Sequence, residues 1–236
     1  MITLEPVIDF YGHLIPEPVG LVELDTAVDA RPASMARAAS GLLATSLQLG
    51  ASQGRDVSSW DGPVNWSLLD FGINKASEGG SYVSPGTRAR AAAIRGAGKR
   101  YSAYHYAQPG SGGAHADLML AVDGMPRPGD FPGWLDYEVD GLGIGYLTSF
   151  MLQYHARVAC WPGLYTGLSR FQSELHSGVG WKQTGQLLWL AHYGVASAGA
   201  PCDVWQHQGA PDLDTAYPAL DKIGRASCRE RVYHPV

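Results

Sequence analysis

The sequence is short of charge: of 236 residues only 17% are Asp, Glu, Lys or Arg, with 17 basic residues against 22 acidic ones and a formal net charge of -5. No basic stripe is present to neutralise phosphates, which argues against nucleic-acid binding, and no long single-sign charge run occurs. Cysteine is scarce. Cys160, Cys202 and Cys228 are an odd number at wide spacings, fitting neither a disulfide framework nor a zinc site, so free or buried thiols are expected. No apolar run approaches the roughly 18 residues of a membrane span, so no membrane insertion is expected. The histidines never form H-E-x-x-H, and "GLGIG" lacks the G-x-G-x-x-G order, so neither a metal nor another cofactor is expected. Those glycines instead permit an unusual turn beside a group of acids.

What is present is enough apolar sequence, 45%, for one sizeable core. Residues 1–52 differ from the rest, with several prolines, Ala/Ser-rich patches and one amphipathic pattern near Ala36 to Leu49; they read as a linker or the remnant of an upstream module. Glu5 and Asp9 stand where a secretory signal carries basic residues, and an internal start at Met35 is only a slightly better signal. From residue 53 to 222 short β-like runs alternate with helix-like ones, the pattern of an α/β domain with a mostly parallel sheet. Expected strands are "GRDVSS", "DFGINKA", "RYSAYHYA", "GWLDYEV", "PGLYTG", "LLWLAHY", "CDVWQHQ" and "DLDTAY". Expected helices include "SPGTRARAAAIRGAG", with Ser84 as cap, and "IGYLTSFMLQYHARV". A regular eightfold β/α barrel takes roughly 250 residues, so some helices must be missing. Residues 223–236 read as a non-native tail: "IGRASCRERV" is abruptly Arg-rich and resembles a translated sequencing adapter.

The stretch "WLDYEVD", Trp134 to Asp140, puts three carboxylates into seven residues. Alternate side chains of a strand share a face, so Asp136 and Glu138 point one way, and Leu135 and Tyr137 the other. In a parallel barrel that face is the interior, and the glycine-rich segment after it marks the mouth. Asp56 on the first strand and Asp212 on the last would be neighbours in a closed barrel. Crowding and burial raise the pKa of at least one such acid, leaving it able to donate a proton while another stays ionised, which is what cleavage of a glycosidic bond requires. A solvated strand end remains the alternative for this segment alone.

The ordered series "GRDVSSWDGPVNW", "FGINKASEGGSYVSP", "YSAYHYAQP", "WLDYEVD", "PGLYTG", "LLWLAHYG", "DVWQHQG" and "PDLDTAYPAL" resembles the glycoside hydrolase family 25 lysozymes over Gly54 to Leu220. The resemblance implies an irregular TIM-like barrel, five β/α units followed by three β-strands with little helix. It implies a peptidoglycan hydrolase of the lysozyme type, from a phage or a bacterium. Such an enzyme cleaves the β-1,4 bond between N-acetylmuramic acid and N-acetylglucosamine with retention, as a monomer acting on the cell wall outside the cytoplasm.

Position by position, the resemblance makes Glu138 the general acid/base and Asp136 the support of the 2-acetamido group, with Asp56 and Asp212 as flanking acids. The substrate's own N-acetyl oxygen and a protein carboxylate both remain open as nucleophile. Lys75 and Glu78 match the K-A-T-E-G motif and stand as a charge pair at the cleft wall. Tyr104, His105 and Tyr106 are candidates for placing polar rings beside the sugar. Tyr165, Trp189, Tyr193 and Trp205 are candidates for stacking on pyranose faces, and Gln206 for binding a hydroxyl. Two departures stand out: Arg55 replaces an apolar residue and needs an acidic partner if buried, and D-L-D stands where D-x-N is usual, which weakens the choice of Asp212 over Asp214. A non-catalytic carbohydrate-binding barrel is the alternative function, and a carboxylate-metal hydrolase a third.

Overall fold

A computed structural model describes residues 51–217, apart from 180, 184 and 185. The expected N-terminal linker, its amphipathic pattern near Ala36 to Leu49 and the Arg-rich segment from Ile223 lie outside the described residues. The elements are β1 (Ser52–Val57), β2 (Phe71–Glu78), β3 (Tyr82–Val83), α1 (Thr87–Gly96), β4 (Arg100–Tyr106), α2 (Gly112–Asp123), β5 (Trp134–Asp136) and α3 (Gly143–Val158). They continue as β6 (Gly163–Gly167), the short α4 (Leu168–Arg170) with a π-helical turn (Phe171–Leu175), β7 (Leu188–Ala191), β8 (Val204–Gly209) and β9 (Asp212–Ala216). Every strand expected from the sequence has its counterpart, and β3 is additional.

The strands pair in the order β1-β9-β8-β7-β6-β5-β4-β2-β3, and β1 also pairs with β2, so eight strands close into a barrel with β3 as a spur on β2. From β1 through β8 the barrel strands run parallel, and β9 is antiparallel to both β8 and β1. The first five barrel strands are each followed by helix, from the 3-10 turn Trp66–Leu68 after β1 to α4 after β6; among the described residues the last three are not. This is the expected architecture of five β/α units and three strands. The missing helices explain how the barrel closes in so short a chain.

Alternation along the strands builds two cores. Phe71, Ile73, Trp134, Tyr165, Trp189, Val204 and Ala216 point inward and fill the barrel. Ala103, Leu135, Leu164 and Leu190 point outward under the helices, where they meet Ile94 of α1, Met119 of α2 and Leu147, Phe150 and Met151 of α3. Helix α3 supplies this stripe because Tyr146, Leu147, Phe150, Met151 and Tyr154 recur at helical spacing. Burying each such large side chain stabilises the fold by roughly 1.5–3 kcal/mol. Inside the barrel, large rings need small partners: a Cβ on Gly163 would lie 2.1 Å from the Trp134 ring, and one on Gly54 2.2 Å from that of Phe71.

Two local expectations are corrected. Ser84 does not cap α1; Gly86, at φ 72°, occupies the cap without a side-chain bond, and the Ser84 hydroxyl accepts from Arg90 instead. Cys160 is disulfide-bonded, against the expectation of free thiols, whereas Cys202 is free, its thiol pushed up to about 12 chiefly by burial.

Candidate active site

The parallel strands deliver their C-terminal ends to one rim. Because β9 runs the other way, its first residue, Asp212, also reaches that rim, paired with Gly209 at the end of β8. Asp136 ends β5, in register with Tyr106 and Tyr165. Glu138 lies two residues further on and is exposed, while Tyr137 between them is buried on the opposite face. The turn carrying Glu138 is held from behind: Arg170 donates to the Glu138 carbonyl at 3.1 Å, pairs with Asp140 and Glu174, and lies over the Tyr137 ring at 5.6 Å.

Asp56 faces this pair from β1. Its Oδ2 accepts from the Gln206 amide at 2.6 Å, and the Gln206 Oε1 accepts from the hydroxyls of both Tyr165 and Tyr193, each at 2.6 Å. A polar chain therefore crosses the rim from β1 through β8 to β6 and the segment after β7. Trp189 sits beneath, 4.3 Å from the Tyr165 ring and 6.4 Å from that of Tyr104, and its indole donates to Asp214 at 2.9 Å. On the other wall Lys75 pairs with Glu78 at 2.7 Å and lies 4.7 Å from the centre of the Tyr106 ring. Residues three apart in a strand should point oppositely. The register shift between Lys75 and Ser77 turns both toward the mouth.

Burial and mutual repulsion shift the acids on both walls. Burial raises Asp136 well above the ordinary carboxylate range, with the Glu138 charge adding to it and Lys75 opposing it. Desolvation also raises Glu138, opposed by Arg170, although its exposure to water makes this the weaker shift. Asp56 is raised well above its usual value by burial, then by Asp214 and Asp212. Asp212 is pushed up to about 6 by burial and Asp61, with Arg55 opposing. Tyr104 is raised by burial and then by Asp56, Asp136 and Asp212, and Tyr193 by burial and, among others, by Glu138, Asp56 and Asp212. Two hydroxyls thus lie within electrostatic reach of acids on both sides of the rim.

Not every expected residue is there. His105 points away from the mouth into the helix layer, fully buried, with Nδ1 2.9 Å from the Ser77 hydroxyl and its ring 5.7 Å from Phe150. Trp205 also faces outward; its indole donates to the His192 carbonyl at 2.9 Å. The alternation that places Tyr104, Tyr106 and Gln206 at the site turns their neighbours out. Asp214, absent from the expected set, lies on the same face as Asp212 and deeper, with none of its surface exposed. Arg55 does find its acid, Asp61, at 2.9 Å. Arg170 carries no local sequence signal, because its contact with Glu138 spans 32 residues.

Among known families, the description "Glycosyl hydrolases family 25" matches residues 55–214. Lysozyme M1 of Streptomyces globisporus is 30% identical over 169 residues, covering 63% of this chain and 57% of that protein. The chain therefore spans little more than half of this curated relative. The fold is similar to that of a family GH25 lysozyme from Aspergillus fumigatus, with TM-score 0.66, 22% identity, and coverage of 75% of this chain and 99% of the other. It is also similar to a bacterial lysozyme from Streptomyces coelicolor, with TM-score 0.62, 25% identity, and coverage of 75% and 96%.

Proposed function

This chain belongs to glycosyl hydrolases family 25, and on that premise we propose that it is a muramidase, hydrolysing the β-1,4 bond between N-acetylmuramic acid and N-acetylglucosamine in bacterial peptidoglycan. The observation that carries the reading is the placement of Asp136 and Glu138 two residues apart at the barrel mouth, one enclosed and one open to solvent, each raised from its ordinary value chiefly by burial. Two interacting acids of this kind titrate as a unit and keep a proton to higher pH than either would alone.

In the proposed reaction Glu138 gives its proton to the leaving glycosidic oxygen as the bond to the anomeric carbon breaks. Asp136, low in the hollow, accepts from the N–H of the 2-acetamido group and orients its oxygen toward that carbon. That oxygen bonds to the carbon as the leaving group departs. A water then attacks from the side the leaving group left and breaks that bond, Glu138 takes the water's proton, and the two inversions retain the anomeric configuration. The Lys75 charge favours the ionised form of Asp136, against the larger effect of burial, which holds a proton there. Tyr165, Tyr193 and Gln206 offer hydroxyl and amide groups to the sugar, and Asp56 and Asp212 close the opposite wall. The site of action is the cell wall.

Mass analysis of fragments released from purified peptidoglycan tests the bond assignment. Products ending in reducing N-acetylmuramic acid are expected. Products ending in N-acetylglucosamine would place the cut elsewhere, and wall binding without any release would make the barrel a carbohydrate-binding module.

A further inference from the structure

Asp214 is the most enclosed acid of the barrel, and the proposed reaction does not use it. It lies on the inward face of β9, two residues below Asp212, opposite Gly54 of β1 and Gln206 of β8. Its Oδ1 accepts from the Trp189 indole, whereas its Oδ2 is buried with no donor among the described residues. A buried acceptor left so costs roughly 1–3 kcal/mol, and more when it is charged. Beside it lies Asp56, whose carboxyl and main chain both come within hydrogen-bonding reach. Trp189 serves one acid and Gln206 the other, which leaves the contact between the two carboxyl groups without a hydrogen.

We propose that Asp56 and Asp214 share one proton, and that Asp214 is a positioning residue that holds Asp56 in place at the mouth through that hydrogen bond. The proton supplies the donor that Oδ2 lacks and removes the repulsion between two enclosed anions. The surroundings favour it: Asp212 on β9 and Asp61 in the β1–β2 connection add negative charge around the pair, and Arg55 acts mainly on Asp212 and Asp61. Trp189 and Gln206 do not titrate, and Tyr104, raised by burial and these same acids, stays neutral. Burial and Asp212 push Asp214 up to about 8 from an ordinary 3.8. The pair titrates as a unit, so its proton belongs to neither residue alone.

A proton held more tightly in the folded chain than in the unfolded one stabilises fully below the unfolded pKa. That contribution falls as pH rises toward about 8. Chemical denaturation of the wild type and of Asp214→Asn, across about pH 5 to pH 8, reads this without any assay of function. Asparagine keeps the shape and a donor but cannot titrate. The wild type should lose folding stability relative to the variant as pH rises, by up to about tenfold in the folding equilibrium constant per pH unit. Asp56→Asn should remove the same slope, and the double variant should remove no more than either single one. Parallel curves for wild type and either variant would overturn the proposal.

The effect on turnover rests on the muramidase reading, and the two can fail separately. Wild-type wall hydrolysis should decline above about pH 8, and Asp214→Asn should move that decline upward by roughly one pH unit or more with little change in KM. A wild type that shows the stability slope but cuts no wall sinks the muramidase reading and leaves the shared proton standing. A wild type that cuts wall with an unshifted profile in Asp214→Asn overturns the positioning role.

Discussion

The Gln206 amide donates to the Asp56 carboxylate at 2.6 Å across 150 residues of chain, tying β8 to β1 over the intervening β9. The same side chain accepts from Tyr165 and Tyr193, so one amide satisfies three polar groups. Gln206→Leu leaves all three without that partner. It should destabilise the fold by about 1–3 kcal/mol in chemical denaturation and reduce wall turnover as well. A variant with unchanged stability would show that water replaces the amide at no cost.

Arg170 grips the backbone of Glu138 and opposes the upward shift of its carboxyl. Arg170→Met should therefore raise the pH at which the Glu138 limb of the rate profile falls, and lower kcat by up to about a hundredfold through misplacement of the acid, with KM little changed. A fall in kcat with an unmoved profile would mean that Arg170 acts only on structure.

His105 is enclosed in the helix layer, and burial lowers its pKa to about 3 from an ordinary 6.5, with the neighbouring His115 adding to the shift. A base held neutral in the fold stabilises above its unfolded pKa and loses that contribution as pH falls. Below about pH 6.5 the wild type should lose roughly 1 kcal/mol of stability per pH unit relative to His105→Phe, read from denaturation midpoints. Equal slopes would mean that His105 takes up its proton without penalty.

Gly163 has no room for a methyl group against Trp134. Gly163→Ala should destabilise the barrel by about 1–3 kcal/mol, measured by thermal or chemical unfolding. The combination with Trp134→Phe should recover part of that loss, since the smaller ring clears space.

Much of this architecture is legible in the sequence, for a physical reason: a strand with one face in the barrel and one under helices is apolar in runs of four to eight, and turn residues punctuate it. Period-two alternation along "WLDYEVD" is likewise enough to put Asp136 and Glu138 on one face. Applied to "YHY" and "WQ", the same rule separates Tyr104 and Tyr106 from His105, and Gln206 from Trp205, and it puts Asp214 beside Asp212. Helix α2 is different: its apolar residues are spread around the axis because it packs against both the barrel and α3, so no amphipathic stripe marks it. Arg170 is also out of reach of a sequence pattern, because nothing near it in the chain predicts a bond to the carbonyl of Glu138.

The most direct test of the account is the turnover of purified peptidoglycan by Glu138→Gln beside the wild type, with binding to the wall measured by co-sedimentation. Glutamine keeps the size and hydrogen bonding of the side chain but has no proton to give. The account predicts unchanged binding and a loss of turnover between about a hundredfold and ten-thousandfold. A Glu138→Gln protein that cuts the wall at close to the wild-type rate would contradict it.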